Sequence, residues 1–150
     1  MPPGPPPPNL AFLVMSVGRE VFEQVNDQLA EHGLAVRHLA ALGHLAGAPG
    51  TSYSELARRA RVSPQSMQAT LGQLEVLGLV VRATPPGRGR RAELQLTDEG
   101  RAAARRGREL FERLEQRMLA ALDPADRAAV TAALVSLFEE VVVRGRAADD

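Results

Sequence analysis

Between Ser52 and Thr97 the chain reads SYSELARRARVSPQSMQATLGQLEVLGLVVRATPPGRGRRAELQLT, and the spacing of its apolar residues changes partway along. Two short runs carry them at helical spacing. Two later runs are β-branched or alternate, on either side of a segment rich in Gly, Pro and Arg. Helix, turn, helix, strand, loop and strand is the order of a helix-turn-helix with a β-wing, a layout that fits DNA. The fold class expected is therefore mainly α with a small β-wing: a winged helix-turn-helix unit flanked by long helices that hold two copies of it apart.

The first helix has a start signal. Ser52 and Glu55 have capping-box spacing, so each can satisfy a free amide. Leu56, Ala57 and Ala60 form an apolar stripe, with Arg58, Arg59 and Arg61 off it. The turn falls at Arg61-Val62-Ser63. Ser63 is a good N-cap, and Pro64 takes the first helical position, where its missing N–H costs nothing. The second helix is expected from Pro64 to Leu77 with Met67, Leu71, Leu74 and Leu77 inward. Its opposite face then carries Gln65, Ala69, Gly72 and Val76, flanked by Ser66, Gln68 and Gln73. Such a small, neutral face can hydrogen-bond base edges, Gln suiting adenine in the major groove. Ala69 and Gly72 let the backbone come close. Gly72 weakens the helix by about 1 kcal/mol relative to Ala, so a packing or docking role is expected of it. The competing reading is an ordinary solvated helix face.

The segment that follows favours DNA. Leu79-Val80-Val81-Arg82-Ala83 is β-rich, and Gly78 ends the helix before it. Ala92, Leu94 and Leu96 alternate with Glu93 and Gln95 as a half-buried strand does. Between the strands lie Pro85-Pro86-Gly87 and the arginines Arg88, Arg90 and Arg91, a cluster suited to phosphates or the minor groove. Net charge over the whole chain is zero, but seven arginines stand against three acids between Ser52 and Thr97, so the unit is basic on an acidic frame.

Ser54-Glu55-Leu56-Ala57, Val62-Ser63-Pro64, Leu74-Glu75, Gly78-Leu79-Val80 and Leu96-Thr97-Asp98-Glu99-Gly100-Arg101 together resemble the multiple-antibiotic-resistance-regulator (MarR) family, with the Leu-Thr-x-x-Gly-Arg run the most specific piece. The resemblance in motif covers Leu34 to Arg101; the flanking helices agree in layout. It implies a homodimeric transcription regulator, a repressor, bound to double-stranded DNA at a pseudo-palindromic operator. The second helix would enter the major groove and the wing the minor groove, and a small anionic or phenolic effector would release the DNA. The DNA-binding residues so expected are Ser63, Gln65, Ser66, Gln68, Ala69 and Gln73 on the helix and Arg88, Arg90 and Arg91 on the wing. Two positions depart from the family pattern. Arg88 stands where an Asp usually steadies the wing arginine, here Arg90, and Ala69 stands where the helix often has an Arg. Affinity then leans on the wing. If there is an effector pocket, the resemblance places it between the long helices and the winged unit, with Phe12, Met15, Arg37 and His38 as candidates.

The remainder supplies the frame. Residues 1–9, MPPGPPPPN, hold six of the eleven prolines and are expected to form a disordered or polyproline II tail. Residues 10–150 are expected to be a single domain, with the winged unit at 34–101 and dimerisation helices at 10–32 and 98–144. Leu10, Leu13, Val14, Val17, Val21, Val25 and Leu29 form one helical stripe; Leu39, Leu42 and Leu45 point inward from the next helix. Thr97 should cap a long helix carrying Leu110 and Leu114, and Asp123-Pro124 should start a last one carrying Val130, Leu134, Leu137, Phe138, Val141 and Val142. These faces exceed what one small winged unit can cover, so a two-fold partner is expected, Leu10–Leu29 against Leu110–Val142. With 3% aromatic residues and no Trp, the core must be aliphatic.

Composition narrows the function classes. Without Cys, disulfides, thiolate metal sites and thiol redox sensing are excluded. No apolar run reaches membrane-span length and no signal-peptide pattern opens the chain, so no membrane partner and a cytoplasmic location are expected. No enzyme is indicated: His38 and His44 are six residues apart on one helix, off a shared face, and Gly87-Arg88-Gly89 lacks the third glycine of a dinucleotide loop. No cofactor is expected. The alternative from another class is a winged-helix interaction protein without specific DNA binding.

Overall fold

The computed structural model describes residues 9–83 and 93–144. In order they form α1 (Leu10–Ala30), α2 (Val36–Gly47), α3 (Tyr53–Ala60), α4 (Pro64–Val76), β1 (Val80–Arg82), β2 (Leu94–Leu96), α5 (Asp98–Ala120) and α6 (Arg127–Phe138), which runs on as a π-helical stretch over Glu139–Arg144. This is the expected mainly α fold with a small sheet. The chain divides into two compact units, one ending at Leu110 and the other beginning at Phe111. Among the described residues no helix is long and apolar enough to cross a membrane.

In the first unit, side-chain caps start α1, α3, α4 and α5, whereas α2 starts at Ala35 without one. Asn9 accepts from Ala11 N–H at 2.8 Å, Ser52 from Glu55 N–H at 3.4 Å, Ser63 from Ser66 N–H at 3.1 Å and Thr97 from Gly100 N–H at 2.9 Å. The Ser52–Glu55 box is only half made. The Glu55 carboxylate turns to Arg58 and Arg59 instead, at 2.7 and 2.8 Å, because two charged donors bind a carboxylate more strongly than one backbone amide. Arg61, at φ 54°, ends α3 in the left-handed region, and Gly78, at φ 69°, does the same after α4.

Leu42, Leu45, Leu56, Leu71, Leu74, Leu94, Val25 and Val80 are the largest fully buried side chains, an aliphatic core as composition required. Two expectations for apolar faces need correction. Leu77 is 43% exposed, because the α4 ladder ends at Val76 and Leu77 is the capping residue that swings the chain toward Gly78. Thr70 is buried instead, its hydroxyl donating to the Ser66 carbonyl at 2.9 Å, which removes the cost of burying it. On α1 only Val25 and Leu29 of the expected stripe are buried, whereas Leu10, Leu13, Val14 and Val17 are exposed in the single chain.

The two strands are antiparallel, pairing Val80 with Leu96, Val81 with Gln95 and Arg82 with Leu94. Leu94 and Leu96 are buried and Gln95 is exposed, the alternation read from sequence. The Leu-Thr-x-x-Gly-Arg run now has a physical reason. Thr97 caps α5 while its hydroxyl donates to the Gly78 carbonyl at 2.7 Å and its N–H to the Leu79 carbonyl at 3.1 Å. A Cβ at position 100 would sit 1.9 Å from that Leu79 oxygen, so only glycine fits. Arg101 returns to the Leu96 carbonyl at 2.9 Å. The motif is the joint between wing and long helix.

The second unit holds the end of α5, α6 and the π-helical stretch. The expected restart at Asp123-Pro124 is not where α6 begins. Asp123 instead closes a turn, taking Ala125 N–H on its side chain at 3.2 Å and Asp126 N–H on its carbonyl at 2.9 Å, and the helix ladder starts at Arg127. No residue of α6 is buried, and Leu134, Val135, Phe138 and Val141 are 45–67% exposed.

Candidate nucleic-acid interface

The candidate interface is built on α4. Buried Met67, Thr70, Leu71 and Leu74 fix which side faces the core, so the helical period puts Gln65, Ala69 and Val76 outward, all exposed, with Gly72 half-buried between them. Ser63, Ser66 and Gln68 are exposed around the helix start. Ser63 Oγ accepts the Ser66 amide and donates to Ser66 Oγ at 2.9 Å, which orders the first turn and leaves the Ser66 hydroxyl free to donate outward. Among the described residues Gly72 has no packing role, since a Cβ there would meet none of them within 4 Å. The small face it shares with Ala69 is open.

Gln73 differs from the other α4 candidates. Its Oε1 lies 2.7 Å from His38 Nε2 and 3.2 Å from Arg37 on α2, so one end of its amide is engaged within the chain. Arg37 and His38 thereby line an open cleft of about 520 Å³ facing Ala69, Gly72 and Gln73, with Gly33 at its edge. Of the four effector candidates these two come together. Phe12 and Met15 are exposed on α1, outside the lining of this cleft.

Arg88, Arg90 and Arg91 lie outside the described residues. The root of the wing is described, and it holds a cluster that sequence reasoning missed. Arg82 on β1 binds Glu75 of α4 at 2.8 Å, Tyr53 of α3 donates to the same carboxylate at 3.2 Å, and the Arg82 guanidinium lies 5.4 Å from the centre of the Tyr53 ring. Burial, then the Glu75 charge, pushes the Tyr53 phenol up, and hydrogen bonding to Glu75 raises Arg82 further. These three residues tie both helices of the helix-turn-helix to the first wing strand. No local pattern links positions 53, 75 and 82; the packing of α3 on α4 brings Tyr53 to Glu75, and the reversal after Gly78 brings Arg82 to both.

The charge of the unit is therefore distributed unevenly. Arg58 and Arg59 are committed to Glu55, whose carboxyl their hydrogen bonds hold down at about 2, and Arg82 is committed to Glu75. The outward face of α4 is neutral. By sequence, three of the unit's seven arginines, Arg88, Arg90 and Arg91, fall in the segment between the two strands, outside the described residues.

Comparison with known proteins accords with this geometry. A family model described as the MarR family matches residues 32–91. The HTH-type transcriptional repressor Rv2887 of Mycobacterium tuberculosis is 36% identical over 113 residues, which span 75% of this chain and 81% of that protein. The crystal structure of Rv2887 in complex with DNA superposes with a TM-score of 0.72 at 31% identity, covering 87% of this chain and 98% of that one. Rv2887 in complex with salicylic acid superposes with a TM-score of 0.66 at 32% identity, covering 88% and 98%. With its helix-turn-helix, short antiparallel wing root and glycine-locked α5 joint, and with this similarity along most of its length, the chain belongs to the MarR family.

Proposed function

We propose that the protein is a homodimeric transcription regulator, a repressor, that binds a pseudo-palindromic operator in double-stranded DNA and releases it on binding a small aromatic acid. The observation that carries this is the α4 surface. Ser66, Gln65 and Gln68 are exposed at the start of a helix whose opposite side is locked into the core, the position from which helix-turn-helix proteins reach base edges. Ser63 and Ala69 complete that surface, and Arg88, Arg90 and Arg91 supply wing contacts to the backbone or the minor groove. The DNA complex of Rv2887 supports the DNA partner, and its salicylic acid complex supports an aromatic carboxylate as the effector class. The exposed apolar residues of α1 and α6, Phe12, Val17, Leu134 and Phe138 among them, support a second copy of the chain as the partner that covers them. The protein acts in the cytoplasm, as a binding protein and not as a catalyst.

The test is a mobility-shift titration with the DNA upstream of the protein's own gene against a scrambled duplex, with and without salicylate. The expected result is preferential retardation of the native duplex as one dimer per site, reversed by millimolar salicylate. Equal binding to both duplexes would favour the interaction-protein alternative and sink the operator reading.

A further inference from the structure

Hydrogen-bond chemistry alone orients one amide on α4. The backbone N–H of Ala35 can only donate, and it meets Nδ1 of His38 at 3.0 Å. Nδ1 is therefore the acceptor, and the proton of the neutral ring is on Nε2. Nε2 lies 2.7 Å from the end of the Gln73 side chain, so the atom it meets must accept. Arg37, which can only donate, reaches the same atom at 3.2 Å. Two donors converging on one position identify it as the carbonyl oxygen of Gln73. The ring that makes this assignment is 3% exposed, so water does not compete for it. The other end of the amide, Nε2 with its two N–H groups, has no partner among the described residues and belongs to an exposed side chain lining the open cleft beside Ala69 and Gly72.

We propose that His38 is a positioning residue for sequence reading: by holding the Gln73 carbonyl inward, it makes Gln73 present donors only to DNA. This rests on the reading of α4 as the recognition helix. An unrestrained glutamine recognises adenine with both ends, donating to N7 and accepting from N6. Gln73 has its acceptor occupied, so it forfeits the N6 bond and keeps affinity for edges that only accept, O6 and N7 of guanine or O4 of thymine. The relay thus converts an adenine reader into a reader of keto bases. It also separates Gln73 from Gln65 and Gln68, whose amides no partner among the described residues orients.

The test is binding-site selection from random duplexes with the full-length protein and its Gln73→Ala and His38→Phe variants. Gln73→Ala should erase the preference at one base pair per half-site and leave the others as they were. In the wild type that base pair should favour guanine or thymine over adenine by about five- to a hundredfold, the discrimination of one good side-chain–base contact. His38→Phe should shift it toward adenine, with the rest of the motif retained. A merely structural histidine would instead weaken all sequences alike. Imidazole nitrogen NMR of the wild type gives a readout that does not depend on the variant folding: it should show the proton on Nε2 of His38. Three results would overturn the inference: an adenine preference at the position lost in Gln73→Ala, a uniform loss in a folded His38→Phe protein, or a proton on Nδ1. If the wild type selects no motif, the DNA-reading function fails first and this inference with it; a clear motif with any of those three results overturns the inference alone.

Discussion

Gly72→Ala should move stability and DNA affinity in opposite directions. Gly72 lies inside α4, and a Cβ there would meet nothing within 4 Å. Among the described residues the new methyl therefore clashes with nothing, and the helix gains the propensity difference between Ala and Gly, about 0.8–1.0 kcal/mol. For domains near this size that corresponds to a rise of about 2–8 °C in melting temperature, measured at matched protein concentration because a dimer melts by mass action. The same methyl projects from the face proposed to enter the major groove, between Ala69 and Val76. An extra methyl forced into a close contact costs about 1–3 kcal/mol, so operator affinity should fall by about five- to a hundredfold. Thermal melting followed by circular dichroism and operator titration by fluorescence anisotropy measure the two effects on one preparation. A lower melting temperature would refute the claim that the site is open within the chain. A higher one with unchanged affinity would show that this face of α4 does not approach DNA.

Other expected outcomes follow from particular contacts. Gly100→Ala should destabilise the fold by about 1–3 kcal/mol or more, since its Cβ would fall 1.9 Å from the Leu79 carbonyl oxygen; chemical denaturation with an unchanged midpoint would contradict the joint described between β1 and α5. Glu55 has its carboxyl lowered from 4.5 to about 2 by its hydrogen bonds to Arg58 and Arg59. A depressed folded value means stability present above pH 4.5 and lost as pH falls toward 2, so Glu55→Gln should flatten the acid limb of the stability curve in that window. Superimposable curves for the two proteins would remove the ion pairs from the argument. Arg90→Ala should weaken binding to all duplexes and reduce the log–log salt slope by about 0.9 if Arg90 contacts one phosphate; an unaltered slope would take it out of the phosphate contacts.

Local signals in the sequence were enough for the elements and their order. Ser52, Ser63 and Thr97 act through bonds to amides three residues away, Pro64 through its fixed φ and Gly78 through its access to positive φ, so these helix ends could be read without knowing the rest of the fold, whereas the start of α6 could not. The outward set on α4, Gln65, Ala69 and Val76, was legible for a similar reason: 3.6-residue periodicity is a property of one helix. Tertiary packing decided what depends on distant partners. Glu55 gave up its half of the capping box to Arg58 and Arg59 within α3 itself, a local competition, but Thr70 replaced Leu77 in the core once the chain turned at Leu77 and α4 packed. Gly100 owes its place to the Leu79 carbonyl, and Gln73 was turned toward α2 by His38, thirty-five positions away. Periodicity says which side of an element a residue occupies. It does not say which polar group on another element will compete for its hydrogen bonds, and that competition is settled only when the elements pack.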